Sequence, residues 1–171
     1  VIIFLLLTLK IGKDRNNAFW LNLVNLLLAV NFLSGFFYSA TAELFNGMYH
    51  TSELIILEKN ILNLGTLIIS LQSYNWLKDH RHVPEFYILL LSTLLGMFFM
   101  ISSGNLLMFY VALELSTIPL AALANFDLEK RKSSEAAMKL IVSSAFSSGM
   151  LLLGISLVYG TTGTISFDGI A

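Results

Sequence analysis

The chain has 171 residues, of which 56 % are hydrophobic and 12 % are charged, and its formal net charge at pH 7 is −1. Because soluble domains keep about a quarter of their residues charged, this composition predicts an all-α integral membrane protein built as a polytopic helix bundle. The long apolar runs do not alternate, which argues against an outer-membrane barrel. The charge gives no indication of a nucleic-acid partner, and the sequence contains no cysteine for a disulfide or a thiolate metal site.

The chain opens on an apolar segment, residues 1–9, which is too short to cross ~30 Å of hydrocarbon. It lacks the basic leader and the small-residue cleavage site of a signal peptide. We therefore interpret this segment as the second half of a transmembrane helix, truncated at its N-terminus. The sequence also stops within a loop, so we interpret residues 1–171 as a single transmembrane domain that is a fragment of a longer subunit.

Five complete spans follow the partial one. They are predicted at about residues 18–38, 52–76, 85–102, 105–125 and 135–159. Within the first complete span Asn22 and Asn25 lie three residues apart, a spacing that favours hydrogen bonds between helices. Gly47 is expected to form the turn before the second complete span. The last span is predicted to begin at Ser133 or Ser134 as its N-cap.

The second complete span carries a polar stripe along one helical face. Its members recur every three or four residues: Lys59, Asn63, Thr66, Ser70 and Ser73. Such a stripe is expected to face protein or water rather than lipid. Glu58 precedes Lys59, but adjacent residues on a helix diverge by ~100°, so we interpret both as side chains that reach the interface and not as a functional pair. His80 and His82 lie in a loop without further ligands nearby, so they do not predict a metal site.

The loop charges alternate along the chain. Loops 10–17, 78–82 and 126–134 together hold eight Lys or Arg, whereas segments 41–53, 102–105 and 161–171 hold none. We call the first set the basic end of the bundle and the second set the opposite end. The positive-inside rule predicts that the basic end faces the cytoplasm or a matrix. A bacterial plasma membrane is favoured over a mitochondrial inner membrane.

Glu114 lies at the centre of the fourth complete span. A carboxylate at that depth costs at least ~2.5 kcal/mol to insert, so it needs an interior partner or a function. Pro119 follows five residues later, and because it has no N–H it leaves the carbonyl of Leu115 without its helical donor. An acid at mid-depth beside a freed carbonyl indicates a proton-handling element.

Lys139 lies one turn inside the last span, on the same face as Ser143 and Ser147. Two interpretations are open, since a lysine at that depth can extend to the interface or turn inward. Small residues on this span, including Ser144 and Ser148, would allow another helix to approach closely.

The chain resembles a known family through two segments, GNLLMFYVALELSTIPLAALANFD and SSEAAMKLIVSSAFSSGMLLLGISLVYGTTGTISF. They are similar to the antiporter-like subunits of proton-pumping NADH:quinone oxidoreductase, respiratory complex I. Within that family the resemblance is greatest to the type called subunit 2, or subunit N in bacteria. The similarity covers most of the chain, which corresponds to the N-terminal part of such a subunit. The characteristic motifs ELSTIPL, EAAMK and YGTTG lie within residues 85–167.

The resemblance implies a membrane-arm subunit that contributes part of a proton-translocation half-channel. In that family the glutamate of the ELxxxPL motif, here Glu114, is a buried acid of the half-channel. The lysine of the EAAxK motif, here Lys139, is implicated in proton transfer. The principal partner of the glutamate is a lysine on the span after YGTTG, at which point this chain stops. The expected partners are therefore the remaining part of the subunit, other membrane-arm subunits and lipids.

The sequence predicts no redox group in this chain. It has no cysteine ligand set for an iron–sulfur cluster, no glycine-rich dinucleotide fingerprint and no haem ligand pair. NADH, FMN, the iron–sulfur clusters and quinone are therefore expected on other subunits. Two alternatives stay open: a subunit of a cation/proton antiporter or membrane-bound hydrogenase with the same helix set, and a structural scaffold. In the pumping interpretation, Glu114 and Lys139 are both predicted to face the protein interior.

Overall fold

The computed structural model describes residues 2–12, 16–37 and 41–170. Its helices are α1 (Ile2–Gly12), α2 (Asn17–Gly35), α3 (Glu53–Gln72), α4 (Tyr74–Leu77), α5 (Val83–Ile101), α6 (Leu106–Ala124), α7 (Arg131–Thr162) and α8 (Phe167–Ile170). Two short strands, β1 (Ala42–Leu44) and β2 (Tyr49–Thr51), form an antiparallel hairpin between α2 and α3. In the described chain α2, α3, α5, α6 and α7 are long and apolar enough to cross a membrane, which confirms the all-α membrane class and the five complete spans.

Predicted boundaries were wrong in three of the helices. α1 continues past the loop start predicted at residue 10. The polar span is broken at Ser73, where α3 ends and α4 follows. α7 begins at Arg131 rather than near residue 135, and it continues to Thr162. There Gly163, with φ of +71°, ends the helix in the left-handed conformation that glycine adopts most readily.

Neither Ser133 nor Ser134 caps α7, because the helix has already started before them. Both hydroxyls instead donate hydrogen bonds to the C-terminal end of α6. Ser133 Oγ donates to the carbonyl of Ala124 at 2.7 Å, and Ser134 Oγ donates to Asn125 Oδ1 at 3.0 Å. The first turn of α7 is thereby fixed to the last turn of α6.

The described residues of the three basic loops lie at one end of the bundle, as their charges predicted. Asn17 Nδ2 donates to the carbonyl of His80 at 2.9 Å. His80 Nε2 lies 3.1 Å from Asp127 Oδ1, so the loop before α5 contacts the loop after α6. Lys10 Nζ lies 2.8 Å from Glu85 Oε1, which joins the end of α1 to the start of α5.

The hairpin lies at the opposite end, where the sequence predicted only a loop that turns at Gly47. Gly47 does occupy the turn, with φ of +81°. The hairpin docks on the link between α5 and α6: His50 N donates to the carbonyl of Ser102 and Gly104 N donates to that of Met48, each at 2.8 Å. A Cβ on Gly104 would lie 1.9 Å from the carbonyl oxygen of Gly47, so only glycine permits this approach.

The polar stripe on α3 faces the protein, as predicted. Its buried members are Asn63, Thr66 and Ser70. Ser70 Oγ donates to Asn25 Oδ1 at 2.5 Å and lies 3.1 Å from the Tyr87 hydroxyl, which joins α2, α3 and α5. Asn63 Nδ2 donates to a backbone carbonyl of α2 at 3.1 Å. The prediction for Asn22 was wrong within the described chain, because its side chain is exposed.

Candidate functional site

Glu114 is the ninth of the 19 residues of α6, so it lies ~12 Å along the axis from Leu106 and ~15 Å from Ala124. Its half-buried side chain lines a cavity of about 350 Å³ between α6 and α7. The lining residues are Tyr110, Glu114, Thr117, Ile118 and Ala121 of α6, and Ile141, Ser144, Ala145 and Ser148 of α7. The acid therefore lies at the middle of its span and faces a neighbouring helix.

A close approach to α5 holds α6 in position. A Cβ built on Gly96 of α5 would lie 2.5 Å from the backbone nitrogen of Ser116 and 2.7 Å from its Cα. Ser116 is two residues after Glu114, so this contact fixes the segment of α6 that carries the acid. At the start of α6, the side chain of Asn105 accepts a hydrogen bond from Met108 N at 2.7 Å and caps the helix.

Pro119 lies inside α6, which continues as one helix to Ala124. Since proline has no N–H, the carbonyl of Leu115 lacks its usual donor within the helix. That carbonyl belongs to the residue immediately after Glu114. The backbone beside the acid therefore offers an additional hydrogen-bond acceptor near mid-helix.

The serine and threonine hydroxyls of the cavity donate to backbone carbonyls of their own helices. Thr117 Oγ1 donates to Glu114 O at 3.4 Å, Ser144 Oγ to Ile141 O at 3.0 Å, and Ser148 Oγ to Ala145 O at 3.2 Å. Each hydroxyl has one proton, so its remaining capacity is as an acceptor, suited to a protonated carboxyl or a hydrated proton. In the described chain no side chain forms a hydrogen bond or ion pair with the Glu114 carboxyl.

Lys139 does not face the interior of the described chain, contrary to the prediction. Its side chain is 74 % exposed, and Nζ lies 2.5 Å from Glu135 Oε1 one turn earlier on α7. The reason is helical phase. Lys139 and Ser148 are nine residues apart, which at ~100° per residue places them on opposite sides of α7. The side that carries Ser148 faces Glu114, so Lys139 points away from it.

Lys59 extends toward the opposite end, the direction that the interface interpretation predicted. Its Nζ donates to the Tyr49 hydroxyl at 3.0 Å and lies 4.9 Å from the centroid of that ring. Burial raises the pKa of Tyr49, but the hydrogen bonds and the positive charge of Lys59 outweigh burial and leave that pKa below its ordinary value. Glu58 is exposed and forms no ion pair with Lys59 among the described residues.

Asp127 joins two of the basic loops at the other end of the bundle. The hydrogen bond from Lys130 Nζ, at 2.5 Å, lowers the pKa of Asp127, and the hydrogen bond with His80 lowers it further. The His80 ring also lies 4.9 Å from the ring centroids of Trp76 and Phe126. This cluster connects the end of α4 to the end of α6.

Sequence reasoning selected Glu114 but missed most of the cavity around it. Tyr110 and Thr117 lie four residues before and three residues after the acid, so helical spacing alone would have identified them. Ser144 and Ser148 were noted for helix packing only. The spacing of residues along the sequence could not predict which face of α7 packs against α6.

Comparison with known proteins identifies the family. Residues 103–171 match the family described as NADH:quinone oxidoreductase/Mrp antiporter, TM. A NADH-quinone oxidoreductase subunit N from Phocaeicola vulgatus is 43 % identical, over 99 % of this chain and 36 % of that protein. The chain belongs to the antiporter-like subunit N family of NADH-quinone oxidoreductase. The subunit N from Azoarcus sp. is 34 % identical, over 100 % of this chain and 35 % of that protein, so the chain spans about a third of the length of these relatives.

Solved structures agree with membership of the subunit N family. A chain in "Respiratory complex I from Thermus thermophilus with bound Aureothin" superposes with a TM-score of 0.79 at 26 % identity, covering 96 % of this chain and 36 % of that chain. A chain of an archaeal membrane-bound sulfane sulfur reductase superposes with a TM-score of 0.69 at 22 % identity, covering 98 % of this chain and 37 % of that chain. At this identity the similarity shows a common fold alone. As a member of the subunit N family with five candidate spans, the chain is an integral membrane protein.

Proposed function

We propose that this chain forms part of a proton-translocation half-channel centred on Glu114, in the membrane arm of a proton-pumping NADH-quinone oxidoreductase. The observation that carries the proposal is the position of Glu114. It lies at the centre of a membrane span and faces a cavity of about 350 Å³, and the described residues supply it with neither a hydrogen bond nor a countercharge. Ionisable side chains at membrane depth mark proton pathways and cation sites, and this position of Glu114 supports such a role.

The chemistry follows from the groups around the acid. The hydroxyls of Thr117, Ser144 and Ser148 donate to backbone carbonyls and keep free lone pairs, so each can accept a hydrogen bond from a protonated carboxyl or a hydrated proton in the cavity. An ammonium group that approaches would favour the ionised form, and its withdrawal would favour proton uptake. When the ammonium group approaches and withdraws in turn, the Glu114 carboxyl releases one proton and takes up another. The cation that approaches Glu114 would come from the remaining part of the subunit.

Lys139 is the second group that we assign to the pathway. It lies on the face of α7 away from Glu114 and is paired with Glu135. In this proposal α7 separates the two charges, with Glu114 on one side and Lys139 on the other. Lys139 then passes protons to a group that packs on the outer face of α7, beyond the described chain.

The other parts of the proposal concern the assembly. NADH, FMN, the iron–sulfur clusters and quinone would be carried by other subunits, so this chain would contribute to the enzyme without redox chemistry of its own. Its partners would be the other membrane-arm subunits, the remaining part of the same subunit, and lipids. We place it in a bacterial plasma membrane with the basic end on the cytoplasmic side.

The test is proton translocation by the assembled complex in inverted membrane vesicles. Glu114→Gln should abolish or strongly reduce the protons moved per NADH oxidised, because an amide keeps the size and hydrogen bonding of the acid but cannot carry a proton. Glu129→Gln is the control, since Glu129 is exposed in a basic loop. Unchanged translocation in assembled Glu114→Gln would support a structural scaffold. Translocation that requires a sodium or potassium gradient but no NADH would support an antiporter.

A further inference from the structure

Two side-chain hydrogen bonds join α6 to α7 at the basic end. Ser133 Oγ donates to the carbonyl of Ala124 at 2.7 Å, and Ser134 Oγ donates to Asn125 Oδ1 at 3.0 Å. Both serine side chains are half-buried. Because two successive residues of α7 are bonded to two successive residues of α6, the bonds restrict both the distance between the helices and the rotation of α7 about its axis. We call them the basic-end contacts.

The two helices are also joined at the opposite end, but only through the backbone. Leu106 N donates to the carbonyl of Ile165 at 3.0 Å, and Phe167 N donates to the carbonyl of Gly104 at 3.3 Å. On the α7 side both partners follow Gly163, where the helix has already ended. These bonds therefore limit the separation of the helix ends, but they do not fix the rotation of α7.

The basic-end contacts lie on the face of α7 that lines the Glu114 cavity. Three lining residues follow Ser134 by about two, three and four complete helical turns: Ile141, Ala145 and Ser148. An α-helix keeps its phase over four turns, so a rotation fixed at Ser134 also fixes which side chains of α7 face Glu114.

Packing of small side chains does not by itself select this face. Ser143 and Ser147 form a second line of small residues, ~100° around the helix from Ser144 and Ser148. Either line would let another helix approach closely. Nevertheless Ser148 is buried against α6, whereas Ser143 and Ser147 are exposed in the described chain. Among the described residues, the side-chain hydrogen bonds that distinguish the two arrangements are the basic-end contacts.

We propose that Ser133, Ser134 and Asn125 are positioning residues for Glu114. Their hydrogen bonds fix the rotation of α7, and this rotation turns the Ser148 hydroxyl toward the acid. None of the three lines the Glu114 cavity, so they act through the helix and not on the carboxyl group. The effect on activity rests on the proposed function, but the rotation of α7 does not. Both partners of each bond lie in the described chain, so the contacts need no group from outside it.

Cysteine cross-linking measures the rotation of α7 in the assembled complex, because the sequence contains no cysteine of its own. The cavity pair combines Thr117→Cys with Ser144→Cys, two positions that line the same cavity. The outer pair combines Thr117→Cys with Val142→Cys, which lies ~200° around α7 from Ser144 and is exposed. Each pair is treated in membranes with a short bifunctional methanethiosulfonate, and the cross-linked peptides are quantified by mass spectrometry. The cavity pair should cross-link in preference to the outer pair.

Ser133→Ala/Ser134→Ala should lower the ratio of cavity-pair to outer-pair product about tenfold, the effect expected from losing these hydrogen bonds. Alanine favours a helix more than serine does, so α7 itself is not weakened. Ser133→Thr/Ser134→Thr keeps both hydroxyls and should preserve the wild-type ratio. Ser147→Ala is the control, because it removes an exposed hydroxyl that bonds within α7.

The same substitutions without cysteines are then assayed for protons moved per NADH oxidised. The alanine pair should lower this number, whereas the threonine pair and Ser147→Ala should not. If the alanine pair prevents assembly, Asn125→Ala removes the acceptor from the α6 side and gives the same comparison.

Two results would overturn the proposal. One is a cross-linking ratio that stays at the wild-type value in the alanine pair. The other is a changed ratio with unchanged proton translocation, which would mean that the rotation of α7 does not matter to the site. Failure of the proposed function is distinguishable, because it would appear as unchanged translocation in Glu114→Gln. The cross-linking ratio would still decide whether these residues set the rotation of α7.

Discussion

Gly96→Ala should loosen the helix pair that positions Glu114. In the structure the added Cβ would lie 2.5 Å from Ser116 N, whereas ordinary van der Waals contact begins at 3.4 Å, so the two backbones must separate locally by about 0.9 Å (3.4 − 2.5). The atoms that the added Cβ would meet belong to the backbone of α6, so they cannot rotate away as a side chain could. Overpacking of this kind costs ~1–3 kcal/mol. Gly65→Ala is the matched control, because a Cβ there meets nothing within 4 Å.

The measurement is amide hydrogen exchange of α6 in the assembled complex, followed by mass spectrometry. A loss of ~1–3 kcal/mol corresponds to exchange about 5- to 150-fold faster for amides that exchange by local opening. Gly65→Ala should leave α6 unchanged, and it should make α3 slightly more protected because alanine favours a helix over glycine by ~1 kcal/mol. If the amides of α6 exchange as slowly in the Gly96→Ala variant as in the wild type, the close packing of α5 and α6 is not what holds Glu114 in position.

Three further predictions concern other parts of the fold. Lys139→Met should reduce proton translocation in the assembled complex while Lys132→Met does not; equal activity of the two variants would remove Lys139 from the pathway. Ser70→Ala should destabilise the contact of α2, α3 and α5 by ~1–3 kcal/mol, because the half-buried Asn25 and the buried Tyr87 both lose their hydrogen bond with Ser70; unchanged hydrogen exchange in α3 would argue against this. The pKa of Asp127 is lowered, so its stabilising pairs are present above its ordinary pKa and are lost only as the pH falls through the lowered value. The amides of residues 126–130 should therefore be equally protected from exchange between pH 8 and about pH 5, and Asp127→Asn should reduce that protection over the whole range. Equal protection in the wild type and the variant would contradict this role of Asp127.

Much of the fold could be predicted because the bilayer imposes strong constraints on sequence. Apolar length predicted the five spans, and the alternating charges predicted that the loops with His80 and Asp127 share one end. The stripe on α3 predicted burial of Asn63 and Ser70, since polar groups at that depth require protein partners. Each of these inferences depends on residue type and spacing within a single helix.

What could not be predicted depends on contacts between elements distant in sequence. The hairpin forms where Gly104, far along the chain, permits its close approach, and its own short strands carry no alternating pattern. Ser133 and Ser134 look like helix caps, but the nearby end of α6 offers them acceptors. The orientation of Lys139 depends on which face of α7 packs on α6, and two faces of small residues made either arrangement possible.

The most direct test of the account is infrared difference spectroscopy of the assembled complex on addition of NADH. The central claim is that the Glu114 carboxyl changes its protonation during turnover. The account predicts a carboxyl C=O band that changes on NADH addition, disappears in Glu114→Gln and persists in Glu129→Gln. A difference spectrum identical in wild type and Glu114→Gln would contradict the claim, because the acid would then keep one protonation state while the complex works.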